Sequence, residues 1–186
     1  MDKRKQKTRE AIRNAYAALL LDKQTPKLTI TALARKANID RKTFYLHYDT
    51  VEDVMLDYNR QIIERILVLL EEYGFFGKGF DVSCFFRAFN QVIKENMAFF
   101  QHVAMQHELA EMWDSSSREL AERITALYEE RVLIKPETLY VYIRFILAGS
   151  QEIYKEWLRG DLHFSLDELG RIAADVAFEG FCTVLK

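Results

Sequence analysis

Cysteine is nearly absent from this chain, with only Cys84 and Cys182 among 186 residues. Two thiols cannot build a disulfide scaffold or a four-thiolate zinc site. Their aromatic and aliphatic neighbours mark both as buried free thiols of a reducing compartment. Proline occurs twice, and there is no low-complexity tract or internal repeat; with 49% apolar residues, a disordered chain is excluded. No uncharged apolar run approaches the roughly 18 residues of a membrane-spanning helix. A secretory leader is imitated by Lys3, Arg4, Lys5 and Lys7 ahead of the apolar stretch Ala15 to Leu21. That stretch is short, Glu10 interrupts the basic part, and Asp22-Lys23-Gln24 stands where a small-residue cleavage site belongs. The expectation is a cytoplasmic protein without a membrane partner. Enzyme signatures are missing too: no glycine-rich phosphate loop, nucleophile elbow, Glu-x-x-His or His-Glu-x-x-His occurs. His102 and His107 do not have the i, i+4 spacing of helical metal ligands. No catalytic role, cofactor or metal is expected.

What is present is an uneven distribution of charge. Residues 1–48 hold 12 Lys and Arg against 4 Asp and Glu, a balance of +8, whereas 49–186 balance at -10. A basic module for a polyanion joined to an acidic body has this pattern, and so does a solvated basic helix face.

Apolar residues recur at helical spacing throughout. Ile12, Ala15, Tyr16 and Leu19 form one stripe, and Ile30, Leu33, Ala34 and Ala37 form a second. Val82, Phe85, Phe86, Phe89, Val92 and Ile93 continue the pattern, as do Leu139, Ile143, Ile146, Leu147 and Ser150. No segment alternates as a strand does, so the fold class is all-α. Thr29 and Asp40 suit N-caps of the second and third helices. Thr50 with Asp53 opens a long fourth helix to about Tyr73, and Ser116 with Glu119 and Ser165 with Glu168 read as later capping boxes. Pro136 fits a first helical turn, and Gly74, Gly77 and Gly79 mark a loop.

Leu28 to Val54 is the informative stretch. A helix ends at Asn38, which tolerates the left-handed conformation of a tight turn, and Asp40 restarts a short helix to about His47. Two short helices on such a turn form a helix-turn-helix. Ala34 and Ala37 permit close crossing, and Phe44 plugs the core between the helices. The second helix clusters Arg41, Lys42, Thr43, Tyr45 and His47, side chains able to meet base edges and phosphates.

Residues 8–60 resemble the DNA-binding domain of the TetR/AcrR family of transcriptional regulators. The resemblance rests on the first helix from Thr8 to Leu21, on Leu28-Thr29-Ile30 and Leu33-Ala34, and above all on Thr43-Phe44-Tyr45-Leu46-His47-Tyr48 followed by Glu52-Asp53-Val54. It implies a three-helix DNA-binding head (1–50) joined by a long helix to a helical ligand-binding and dimerisation body (51–186). It also implies that Thr8, Thr29 and Thr31 lie near phosphate, that Tyr45 and His47 contact the backbone, and that Arg41, Lys42 and Thr43 face bases of double-stranded DNA. Three positions depart from the family pattern. Asn38 replaces a usual Gly, Lys42 a frequent Gly, and Val51 a usual phosphate-binding Lys.

In the body, Leu139 to Gln151 carries one charge, Arg144, and Ile172 to Leu185 carries only Asp175 and Glu179. Helices apolar on more than one face are buried on both sides, in a private core or against a second copy. The resemblance favours a homodimer with a four-helix interface. Of the 24 aromatic residues, 20 lie beyond residue 48. His102, His107, Trp113, Tyr128 and Tyr142 are candidates to line a pocket for a small apolar or aromatic effector, with ordinary core packing as the alternative. The expected function is regulation of transcription, as a repressor released from a palindromic operator by that effector. The alternative is a DNA-binding adaptor controlled by a protein partner.

Overall fold

The computed structural model describes residues 3–22, 28–75, 81–106, 109–130 and 134–182. Among them the chain is helical and contains no strand. The helices are α1 Lys3–Leu21, α2 Ile30–Lys36, α3 Arg41–Tyr45, α4 Val51–Glu72, α5 Val82–Glu95, α6 Met97–Met105, α7 Ala110–Tyr128, α8 Pro136–Arg159 and α9 Leu166–Cys182. The fold is all-α. Gly77, Gly79 and His107 lie outside the described residues.

The helices start where their caps dictate. Thr29 Oγ1 accepts from the Ala32 N–H at 3.2 Å, and Asp40 Oδ1 accepts from the Thr43 N–H at 2.7 Å. Thr50 and Asp53 cap each other reciprocally at 2.9 and 3.0 Å, and Ser165 and Glu168 do so at 2.9 and 3.2 Å. Pro136 occupies the first turn of α8. The expected box at Ser116 is not a helix start. Ser116 lies inside α7, where its hydroxyl donates to the Met112 carbonyl at 2.6 Å. The buried stripe Trp113, Ser117, Leu120, Ile124 and Tyr128 runs past it without a break, so continued burial keeps the helix going.

Two compact units divide the chain, Met1–Ile62 and Ile63–Lys186. The sequence reading begins the body at residue 51, where α4 starts. Contacts divide the chain later because the first turns of α4 bury Val54 and Met55 within the N-terminal unit. That unit closes on Ile12, Tyr16, Leu33, Phe44 and Val54, none more than 1% exposed. Burying one such Phe instead of deleting it is worth about 3–5 kcal/mol.

In the C-terminal unit α7 packs along α8, and α5 along α9. Leu70, Phe86, Ile93, Ile124, Leu139 and Leu169 form its interior, and Cys84 is a buried free thiol. A polar link crosses this apolar core. The Tyr154 hydroxyl donates to Asn90 Oδ1 at 2.6 Å, and Asn90 Nδ2 donates to the Leu166 carbonyl at 2.7 Å. The link ties α8, α5 and α9 together, and Gly170 makes room for it. A Cβ at Gly170 would stand 2.4 Å from Asn90 Nδ2.

Candidate nucleic-acid interface

The turn between α2 and α3 is set by backbone chemistry. Asn38 has φ 54°, and it is the one non-glycine residue with positive φ among those described. The Ile39 N–H reaches the Ala34 carbonyl at 3.0 Å, and the Asn38 N–H reaches Arg35 at 3.2 Å. This pair of bonds is a Schellman closure, which an asparagine in the left-handed region can make. The chain therefore leaves α2 sharply and enters α3 at the Asp40 cap.

α3 then divides its side chains between core and solvent. Phe44 and Tyr48 point inward with rings 5.9 Å apart. Arg41, Lys42 and Tyr45 are exposed, and Thr43 and His47 are half-buried. Five of the expected contact residues thus share one short segment. Thr31 is exposed on α2, and Thr29, which uses its oxygen as the cap acceptor, keeps its O–H free to donate outward. Two hydroxyls are already committed inside the chain. Thr43 Oγ1 donates to Asp40 Oδ2 at 2.9 Å, and Thr8 Oγ1 donates to the Arg4 carbonyl at 3.1 Å. Thr43 accordingly offers a partner its methyl group and an acceptor lone pair. Those cap bonds, the Thr43 N–H foremost, hold the Asp40 carboxyl below its usual range.

The position of the segment depends on Asp57 of α4. Its Oδ2 accepts from the Tyr48 hydroxyl at 2.6 Å and from Arg13 at 2.8 Å, and its Oδ1 meets Arg9 at 3.0 Å. The Arg9 guanidinium also lies 5.0 Å above the Tyr48 ring. Burial by itself would raise the Asp57 carboxyl, but Tyr48, Arg13 and Arg9 together hold it below the ordinary value. Burial also lowers the His47 imidazole, and the charges of Arg9 and Lys5 lower it further, which favours its neutral form.

No family model matches the chain. An uncharacterized HTH-type transcriptional regulator of Bacillus subtilis strain 168, YxbF, is 41% identical over 56 residues, 30% of this chain and 15% of that protein. Among solved structures, the dihydroxyacetone kinase operon activator DhaS superposes with a TM-score of 0.68 at 15% identity, covering 93% of this chain and 95% of DhaS. A TetR-like transcriptional regulator from Rhodococcus sp. RHA1 superposes at 0.57 with 17% identity, covering 96% of each chain. The chain has the TetR-like fold.

Within this TetR-like body, the expected effector residues occupy different surroundings. The Trp113 ring packs on Phe100 at 5.7 Å and lies under Lys155 Nζ at 5.6 Å. Tyr128 packs on Phe75, also at 5.7 Å, and donates its hydroxyl to the Phe75 carbonyl at 2.6 Å. His102 is half-buried on α6, its imidazole lowered by that burial. Tyr142 lines an open apolar groove between α8 and α9 with Val141, Phe145, Gly149, Ile172 and Val176. In that groove Phe145 is 81% and Val176 69% exposed. Separately, Phe75, Val82, Phe85, Ile124, Ile143, Ile146 and Leu147 line a small apolar cleft of about 20 Å³.

Sequence reasoning missed Arg9, Arg13 and Asp57. The i, i+4 spacing of the two arginines beside the Ile12–Tyr16 stripe is a legible signal. Asp57 gives none, because its partnership with Arg13 spans 44 positions. Leu46, the C-cap of α3, is 74% exposed.

Proposed function

We propose that this protein is a sequence-specific DNA-binding transcriptional regulator acting as a homodimer. One observation carries the reading: the left-handed turn at Asn38 seats Phe44 and Tyr48 in the core and leaves Arg41, Lys42 and Tyr45 outward on one short helix. That is the geometry needed to place cations and hydroxyls in a major groove. Arg41, Lys42 and the Thr43 methyl read bases. Tyr45 and His47, with Thr29 and Thr31 at the rim, meet the backbone, and Thr8 joins them when its hydroxyl turns from the Arg4 carbonyl.

The second copy pairs through α8 and α9. Val141, Phe145, Ile153, Ile172 and Val176 are exposed on these two helices, and a self-complementary two-fold contact covers them on both chains at once. Two heads about 34–36 Å apart, or a whole number of turns further, then meet a palindromic site on one face of the duplex.

Control by a small apolar or aromatic effector fits the aromatic-rich body and makes the protein a repressor released on binding. The effector acts through unequal affinity for the two head separations. The alternative is a DNA-binding adaptor controlled by a protein partner, without a small-molecule pocket. A dye-displacement screen on the full chain separates the two.

Selection of bound fragments from random duplexes tests the DNA reading. A roughly palindromic consensus is expected. Arg41→Ala and Lys42→Ala should change the preferred base, whereas Tyr45→Ala and His47→Ala should weaken all sequences alike. Uniform losses from all four variants would refute the assigned roles, and an inert wild-type protein at low salt would refute the function.

A further inference from the structure

Lys5, Arg9 and Arg13 fall at successive i, i+4 positions and form one ridge along α1. Their surroundings change along the ridge. Arg13, with a side chain 12% exposed, needs Asp57 to hold its charge away from water. The Arg9 side chain is 39% exposed while it touches the other oxygen of the same carboxylate and the Tyr48 ring face. Lys5 is exposed, and its charge together with that of Arg9 reaches His47 strongly enough to disfavour the protonated imidazole.

The charges at this corner do not balance. One carboxylate faces two guanidiniums, and Lys5 adds a third cation. Asp53, the next carboxylate along α4, is committed to the N–H groups of Asp49 and Thr50. Asp57 retains Arg13 and the Tyr48 hydroxyl if Arg9 turns away, so Arg9 is free to change partner. At the N-terminus of α4, Val51 supplies no charge. An anion with several acceptor oxygens, presented beside His47, completes the corner.

Resting on the DNA-binding reading, we infer that Lys5 and Arg9 form a phosphate clamp: on docking, Arg9 exchanges Asp57 for a backbone phosphate of the duplex, and Lys5 meets the same or the adjoining phosphate next to His47. A planar guanidinium matches phosphate oxygens through paired N–H donors. The first helix thus fixes the register of the recognition helix without reading sequence.

Binding to a random-sequence duplex of about 40 base pairs, titrated from low to moderate salt, tests the clamp. The proteins compared are wild type, Lys5→Gln, Arg9→Gln, the double variant, and Arg171→Gln as a control that removes one exposed cation from the body. Each phosphate contact contributes about 0.9 to the salt slope, so the affinity ratio between 50 and 200 mM salt should shrink about 3.5-fold per clamp residue lost and about twelvefold for both, per subunit. Arg171→Gln should leave the slope unchanged, and base preferences in a selected site should be unaltered in every variant. Arg9→Lys should restore the slope but only part of the affinity. Lys5 makes no contact that its loss could unfold, so Lys5→Gln reads the proposal even if Arg9→Gln weakens the head. Wild-type slopes in Lys5→Gln and in the double variant overturn the clamp while leaving the DNA reading intact. A wild-type protein that ignores the duplex at low salt overturns both.

Discussion

Gly170→Ala places a methyl group where no space exists. Its Cβ would lie 2.4 Å from Asn90 Nδ2 and 3.2 Å from Asn90 Cγ. Asn90 is buried, and it is held by the Leu166 carbonyl at 2.7 Å and the Tyr154 hydroxyl at 2.6 Å. Moving it strands at least one buried polar group, at about 1–3 kcal/mol, and overpacking adds about 1–3 kcal/mol. Against this, alanine is favoured over glycine in a helix interior by about 1 kcal/mol. The net expectation is a loss of about 1–5 kcal/mol. In an Asn90→Ala background the obstacle is gone, so the same substitution should become neutral or stabilising by up to about 1 kcal/mol. Urea unfolding of the four proteins of this cycle, followed by far-UV circular dichroism, measures both numbers at fixed protein concentration. Gly170→Ala stabilising the wild-type chain, or costing the same in both backgrounds, would falsify the packing argument.

Asp57→Asn removes the charge that faces Arg9 and Arg13, with Asp57 itself 15% exposed in its side chain; a loss of about 2–3 kcal/mol is expected. The folded-state value of Asp57 is depressed, so its stabilisation is complete above about pH 4 and disappears as pH falls through the lowered value. The gap in urea midpoints between wild type and variant, measured from pH 7 down to 3, should therefore narrow toward the acid end, and a constant gap would contradict the pairing. Phe145→Glu places a charge on the exposed face of α8. Sedimentation should show half the wild-type mass with the helical spectrum retained, whereas an unchanged mass would move the dimer contact elsewhere.

The head was largely legible because its signals are local. A cap acts within three residues, the Asn38 turn within five, and the alternation of Phe44 and Tyr48 with polar neighbours within one short helix. Ser116 shows how a local signal fails: a serine followed by a glutamate three residues later is a helix start only where the preceding chain leaves the helix, and burial of Trp113 and Ser117 prevents that. In the body the pattern indicated apolar residues but not what they face. Leu139, Ile143 and Leu147 turn into the subunit, while Val141 and Phe145 on the same helix turn out of it. The candidate effector residues divided in the same way, Trp113 and Tyr128 into separate ring clusters and Tyr142 onto the open groove.

Periodicity, caps and turn chemistry determined that this chain is a succession of helices with a helix-turn-helix near its start, because those properties depend on neighbours a few positions away. The Asp57 cluster, the Asn90–Tyr154 link through the space left by Gly170, and the division of α8 into inner and outer faces were decided by tertiary structure alone. Each joins residues distant in sequence, and a carboxylate or a glycine carries no mark of which remote partner the folded chain will bring against it.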